Sequence, residues 1–275
     1  MSAVVHSLDD YGRASEASRT SAPFLCEEAG TVSLHFEMDG VQSQMCVDSP
    51  DLLALGYTRT MMGFLLFHEH PRHIGMIGLG GGSLPKYCYR HLPQTRISVA
   101  EISPEVIALR GCFHVPHDDH RFTVLCEDGA DFVNRHRRQF DVLIVDGFDI
   151  SGQPPQLCSR HFYDDCYSAL APDGVLVVNM CDCHFDALIF RMRRSFQDRV
   201  IVIDPEDSSN MIVFAIKGDI QVPQYEQLLE RQKFLEHGHP IDFTRTVQQL
   251  QQECEKGLWQ SSLSADRCTA DRFFS

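Results

Sequence analysis

Two acids, Asp146 and Asp149, follow the apolar run Phe140-Asp141-Val142-Leu143-Ile144-Val145. Acids three apart at the end of a strand can face one cleft, where they could hold a cationic amine and accept its proton. Earlier, Ile74-Gly75-Met76-Ile77 runs into Gly78-Leu79-Gly80-Gly81-Gly82-Ser83 and then into a helix through Lys86-Tyr87-Cys88-Tyr89. The glycines of such a corner let the backbone turn sharply and come close to a ligand, and the helix N-terminus adds free N–H donors. Gly78, Gly80, Gly81 and Gly82 are therefore candidate cofactor contacts. Glu101 closes the next strand about 20 residues past the loop, the spacing at which a carboxylate accepts both hydroxyls of a ribose. Ile102 beside it is placed in the same site. Asp128-Gly129 ends a third strand, where Asp128 could accept a hydrogen bond from an adenine amino group. Each acid also has a plainer reading: Glu101 as a solvated strand end, Asp128 as a helix N-cap, and Asp146 with Asp149 as caps of the following turn. Three strand ends converging on one crevice favour the functional reading.

The elements that would position these residues alternate between strand and helix. Strands are expected near His73 to Gly78, Ile97 to Ala100, Phe122 to Cys126, Asp141 to Asp146, Gly174 to Met180, Val200 to Asp204 and Met211 to Ile216, with helices between most of them. That pattern predicts a parallel sheet covered on both faces. Pro205 to Asn210 is too short for a helix, so the last two strands should pair antiparallel. A mostly parallel seven-stranded sheet ending in such a hairpin is the arrangement of S-adenosylmethionine-dependent methyltransferases rather than of nicotinamide dehydrogenases. Before it, Thr31 to Met38 and Val41 to Met45 alternate apolar and polar residues around Asp39-Gly40 and read as a β-hairpin. Pro50 to Phe67 is apolar at helical intervals and reads as a linking helix. The fold class is thus α/β, a methyltransferase-like Rossmann fold with a small N-terminal β region. Residues 1–21 are expected to be a disordered tail, 22–70 the hairpin and linking helix, 71–220 the cofactor domain, and 221–275 a helical tail, amphipathic from Pro223 to Cys254.

With 275 residues and 43% hydrophobic content, the chain suffices for one full α/β core and a small addition. A net charge of -14 argues against nucleic acid or an anionic membrane as the main partner and fits cationic or neutral small substrates. The 11 cysteines form no regular framework, which suits reduced thiols in a cytoplasm. Cys181-Asp182-Cys183-His184 has the wrong spacing for zinc and reads as residues that begin a helix, while His68 to His73 reads as a solvated turn. No metal is expected. No run approaches the roughly 18 apolar residues of a membrane span, and Met1 to Thr20 lacks the order of a signal peptide, so a cytoplasmic protein is expected.

From Val32 to Val178 the chain resembles the polyamine aminopropyltransferases, the spermidine synthase family. Asp146, Asp149, Gly152, Leu157, Phe162 and Tyr163 match that family's fourth-strand segment. Glu101-Ile102-Ser103-Pro104-Glu105-Val106 resembles its Glu-Ile-Asp-Pro-Glu-Val, and Asp128-Gly129 its Asp-Gly. The resemblance implies a transferase of polyamine biosynthesis that uses decarboxylated S-adenosylmethionine and forms a homodimer. It assigns the ribose to Glu101 and the adenine to Asp128 and Gly129. Asp146 becomes the proton acceptor, also bordering the cofactor, and Asp149 seats the amine substrate. Tyr57 stands where the family has a tyrosine facing the acceptor amine, and Gln42 or Gln44 stands for a glutamine of its hairpin.

The chain departs from the family at Gly81, where the family's loop has an aspartate that contacts the aminopropyl amine. It also has Thr58 and Arg59 for a His-Glu pair and Ile150 for a proline. Arg59 would bring a positive charge to the acceptor site. Loss of the loop acid is expected to leave room for the carboxylate of intact S-adenosylmethionine, which keeps open a methyltransferase or an aminocarboxypropyltransferase. A non-catalytic nucleoside-binding protein is the third alternative, and the Asp146/Asp149 pair, for which a scaffold has little physical need, weighs against it.

Overall fold

The computed structural model describes residues 4–6, 22–37, 40–149, 152–181, 185–205, 209–218 and 224–255. The N-terminal part is an antiparallel sheet in the order β1-β2-β3-β4, built from β1 (Val4–His6), β2 (Phe24–Glu28), β3 (Thr31–Glu37) and β4 (Gly40–Cys46). The expected hairpin is the β3/β4 pair; Met38 and Asp39 of its turn lie outside the described residues. β2 was not legible as a strand, and β1 lies within the stretch 1–21 expected to be a disordered tail. Both strands are short, so their place is set by pairing with a neighbour. Register shifts between Leu34 and Glu37 leave Gln42 without a partner of its own in the β3/β4 ladder, a bulge that bends β4 at its middle.

The linking helix is shorter than its periodicity suggests. α1 (Gly56–Met61) begins only after Leu55 and tightens into a 3-10 turn at Met62–Leu66. Met61, Met62, Phe64, Leu65 and Leu66 are all buried, so the segment is apolar all round rather than amphipathic. A Cβ on Gly63 would stand 3.1 Å from Phe214 and from Thr246, a closeness that the tighter turn fits.

The main sheet has seven strands in the order β10-β11-β9-β8-β5-β6-β7. They are β5 (His73–Ile77), β6 (Arg96–Glu101), β7 (Phe122–Cys126), β8 (Phe140–Val145), β9 (Leu170–Met180), β10 (Val200–Ile203) and β11 (Met211–Ile216). β5 to β9 are parallel, whereas β11 lies antiparallel between β9 and β10. Every residue of β8 is buried, as a central strand covered on both faces requires. Its alternation divides the core: Val142 and Ile144 join one apolar cluster, Phe140, Leu143 and Val145 the other. The first cluster is closed by α1, α2 (Ser83–His91), α3 (Pro104–Ala108), α7 (Tyr225–Gly238) and α8 (Thr244–Glu255), the second by α4 (Gly129–Arg135), α5 (Arg160–Ala169) and α6 (Phe185–Ser195). The amphipathic C-terminal stretch is therefore two helices, and Leu228, Leu235, Val247 and Leu250 bind them to the core. Its expected start at Pro223 and its last residues 256–275 lie outside the described residues. Among those described, no helix is long and apolar enough to cross a membrane.

Strand order reverses between β5 and β8. In an open parallel sheet this splits the connections to opposite faces and leaves a crevice at the carboxyl ends of the strands.

Candidate functional site

A cleft of about 620 Å³ occupies that crevice. The carboxyl ends of β5, β6, β7, β8 and β9 form its floor, while β3, β4 and the start of α1 lean over it. Gly78 ends β5 with its N–H donated to Ala100 at 2.9 Å, and Asp146 at the end of β8 donates its N–H to Ile77 at 2.9 Å. Gly78 has φ of +94°, and a Cβ there would collide with the carbonyl oxygen of Asp146, so only glycine permits the two strand ends to meet.

Glu101 is buried and braces the glycine loop: Oε2 accepts the N–H of Leu79 at 2.8 Å and Oε1 the N–H of Ser103 at 2.9 Å. Glu101 also lines the cleft. Ile102 is 62% exposed although large and apolar, and it lines the cleft beside Glu101. Asp128 caps α4, with Oδ1 accepting from Ala130 at 2.7 Å and Asp131 at 3.4 Å, so its plainer reading as an N-cap describes that oxygen. The second oxygen lines the cleft and accepts from the Gln156 amide at 3.2 Å. Gly129 opens α4 against Ile77 and also lines the cleft.

Asp146 is held from two sides. Tyr57 of α1 donates its hydroxyl to Oδ2 at 3.2 Å, and Asn179 near the end of β9 donates its amide to Oδ1 at 2.8 Å. Burial pushes the Asp146 carboxyl above its ordinary range, while the bonds from Asn179 and Tyr57 pull it back. Burial and the neighbouring Asp146 carboxylate raise the Tyr57 hydroxyl well above its ordinary value, so the phenol stays a donor. Asp149 lies on the same wall, in a tight turn bridged to Gly152; Ile150 and Ser151 of that turn lie outside the described residues.

The structure places the remaining expected residues in and around the cleft as follows. Gln42 lines the cleft because the bulge turns it there, but Gln44 does not, since it continues the regular ladder opposite Ser33. Gly80 borders the cleft; Gly81 and Gly82 are not among the residues that line it, and a Cβ on them would meet Phe113 and Val115 respectively. The space beside Gly81 is filled: a Cβ would stand 2.6 Å from the Ser43 hydroxyl and 2.8 Å from the Phe113 ring. Arg59 does not line the cleft; its guanidinium donates to the carbonyls of Leu53 at 2.8 Å and Ala54 at 3.1 Å. Thr58 does line the cleft, with its hydroxyl donated to Leu55 at 2.6 Å. Cys181 lines it too, while residues 182–184 of the Cys-Asp-Cys-His run lie outside the described residues.

Ser43, Gln156, Asn179 and Asn210 belong to the cleft but were not read from the sequence. Asn179 had a signal, being the polar residue in the otherwise apolar Val175 to Met180. Asn210 had none, since only the antiparallel course of β11 carries its first residues to the cleft end of the sheet.

Comparison with known proteins adds the following. Residues 54–218 match the model of the spermine/spermidine synthase domain. A polyamine aminopropyltransferase of Neisseria meningitidis serogroup A is 36% identical over 227 residues, which cover 81% of this chain and 86% of that protein. Two solved structures share the fold. A spermidine synthase in complex with the transition-state analogue AdoDATO has a TM-score of 0.61 at 22% identity, covering 86% of each chain. Human methyltransferase-like protein 13 in complex with SAH has a TM-score of 0.61 at 24% identity, covering 67% of this chain and 92% of that one.

Proposed function

The chain belongs to the spermine/spermidine synthase family, and from that premise we propose that it transfers the aminopropyl group of decarboxylated S-adenosylmethionine to an amine, with Asp146 as proton acceptor. One observation carries the choice of donor and acceptor. The described residues lining the cleft include four carboxylates, Glu101, Asp128, Asp146 and Asp149, and no lysine, arginine or histidine. Such a wall attracts a sulfonium and an ammonium and offers no cationic partner to a carboxylate. Intact S-adenosylmethionine would bring its carboxylate among those acids.

In this reading Glu101 accepts the ribose hydroxyls, Ile102 packs on the adenine face, and Asp128 with Gly129 bounds the adenine edge. Gly78 and Gly80 let the backbone approach the nucleoside closely. Gln42 and Ser43 close the cleft over the transferred chain, and Tyr57 and Asp149 seat the acceptor. An ammonium has no lone pair, so the acceptor first gives one proton to Asp146. The freed amine then attacks the carbon next to sulfur: the C–N bond forms, the C–S bond breaks, and the electron pair stays on sulfur as a neutral thioether. The sulfonium leaves without help from a metal, and alignment of amine and carbon supplies much of the rate.

Calorimetric titration with the two forms of the donor tests this reading. Binding of decarboxylated S-adenosylmethionine at least about 10-fold tighter than of the intact form, roughly 1.4 kcal/mol, is expected. Equal or tighter binding of the intact form would overturn the choice of donor.

A further inference from the structure

Behind Asp146 lies a second amide that the reaction outlined above does not use. Asn179 is 2% exposed and donates to Asp146 Oδ1 at 2.8 Å, and its own Oδ1 accepts from the Asn210 amide at 2.9 Å. Residues from three strand ends thus form one line, Asp146 after β8, Asn179 within β9 and Asn210 just before β11. Ile212 pairs with Asn179, and the antiparallel course of β11 is what brings Asn210 to this end of the sheet.

An ionised carboxylate only accepts hydrogen bonds, so beside it Asn179 must present its NH2 and turn its oxygen away. A protonated Asp146 could instead donate to that oxygen if the amide flipped. Asn210 opposes the flip, because it donates to the oxygen in the present orientation and would meet an NH2 in the other.

We propose that Asn179 and Asn210 are positioning residues for Asp146: Asn210 fixes the orientation of the Asn179 amide, which holds the carboxylate ionised and its second oxygen turned to Tyr57 and the acceptor amine. The inference rests on the reading of Asp146 as the proton acceptor. The opposing influences are laid out around the carboxyl. Burial raises it, and the Asn179 and Tyr57 bonds lower it. Other titratable groups of the cleft wall are the Cys181 thiol, Asp149 on the same loop, and Glu101 and Asp128 at neighbouring strand ends. None of these is a cation that could take over from the amide. Losing the Asn179 donor therefore moves the carboxyl upward.

The test follows Asp146 itself by infrared difference spectroscopy against pH, with Asp146→Asn to identify the band, together with the pH profile of kcat. Asn179→Leu keeps the shape and removes the donor. The expected result is a rise of about one pH unit in the Asp146 titration and in the acid limb of kcat. On the acid limb kcat should fall by up to about 10-fold, with the donor's Kd unchanged. Asn210→Ala, in a half-buried position that folds more tolerantly, should shift both in the same direction by less. An Asp146 titration unmoved in Asn179→Leu, or moved there but not in Asn210→Ala, would overturn the proposal. Because the titration is read without turnover, it remains decisive even if the protein moves a different group.

Discussion

At the scale of single residues, the role proposed for Asp146 comes at the expense of stability. Its carboxyl is raised by burial despite two hydrogen bonds, so its ionised form is less favoured in the folded chain than in the unfolded one. The contribution to folding is then full at low pH and is lost as pH rises through the raised value. Replacement by asparagine removes that loss and can keep the acceptor for the Asn179 amide. Asp146→Asn is therefore expected to melt no lower than the parent at neutral pH while turnover of any amine falls by about 10²–10⁴-fold and donor binding persists. Thermal melts, steady-state rates and calorimetry on the same preparation check the three parts. Unchanged turnover would remove Asp146 from its role. Activity of the parent should fall as pH drops through a value above the ordinary carboxylate range, since the protonated form cannot accept the amine proton.

At the scale of elements, the glycine loop is shaped by what packs on it. Gly81 faces the Ser43 hydroxyl from β4 and the Phe113 ring from the connection after α3, both too near for a Cβ. Gly81→Asp should lower stability by about 1–3 kcal/mol through overpacking, measured by chemical denaturation. Combined with Phe113→Ala, the loss should be less than the sum of the two single losses by at least about 0.5 kcal/mol, because the smaller residue vacates the contested space. Strict additivity would show that the ring is not what excludes the side chain. The loop's course from strand to helix was legible in its glycines, and Glu101 and Asp128 in their places at strand ends, because these are local consequences of period and spacing. What fills the space beside Gly81 was not, since Phe113 and Ser43 reach it from distant parts of the chain. Arg59 was misread for a related reason: its position beside Tyr57 was clear, but the carbonyls of Leu53 and Ala54 that turn it away carry no signal in side-chain type.

At the scale of the whole molecule, the seven-stranded sheet places one cleft where its strand order reverses, and the small antiparallel sheet closes over it. The β-α alternation made the main sheet and its terminal hairpin readable. The N-terminal sheet was only half readable, because β1 and β2 depend on pairing more than on their own residues. Both layers contribute to a cleft whose described charged lining is entirely acidic, in a chain of net charge -14. The general charge draws cations weakly through salt, whereas the four cleft carboxylates act at short range, where screening is least. The central claim is that this cleft joins a cationic donor without a carboxylate to a cationic amine. Its most direct test is to supply decarboxylated S-adenosylmethionine with a short diamine and to measure the released methylthioadenosine and the alkylated amine together. The account predicts equal amounts of both, dependent on Asp146. Absence of both products with a bound donor, or faster release of S-adenosylhomocysteine from the intact cofactor, would contradict it.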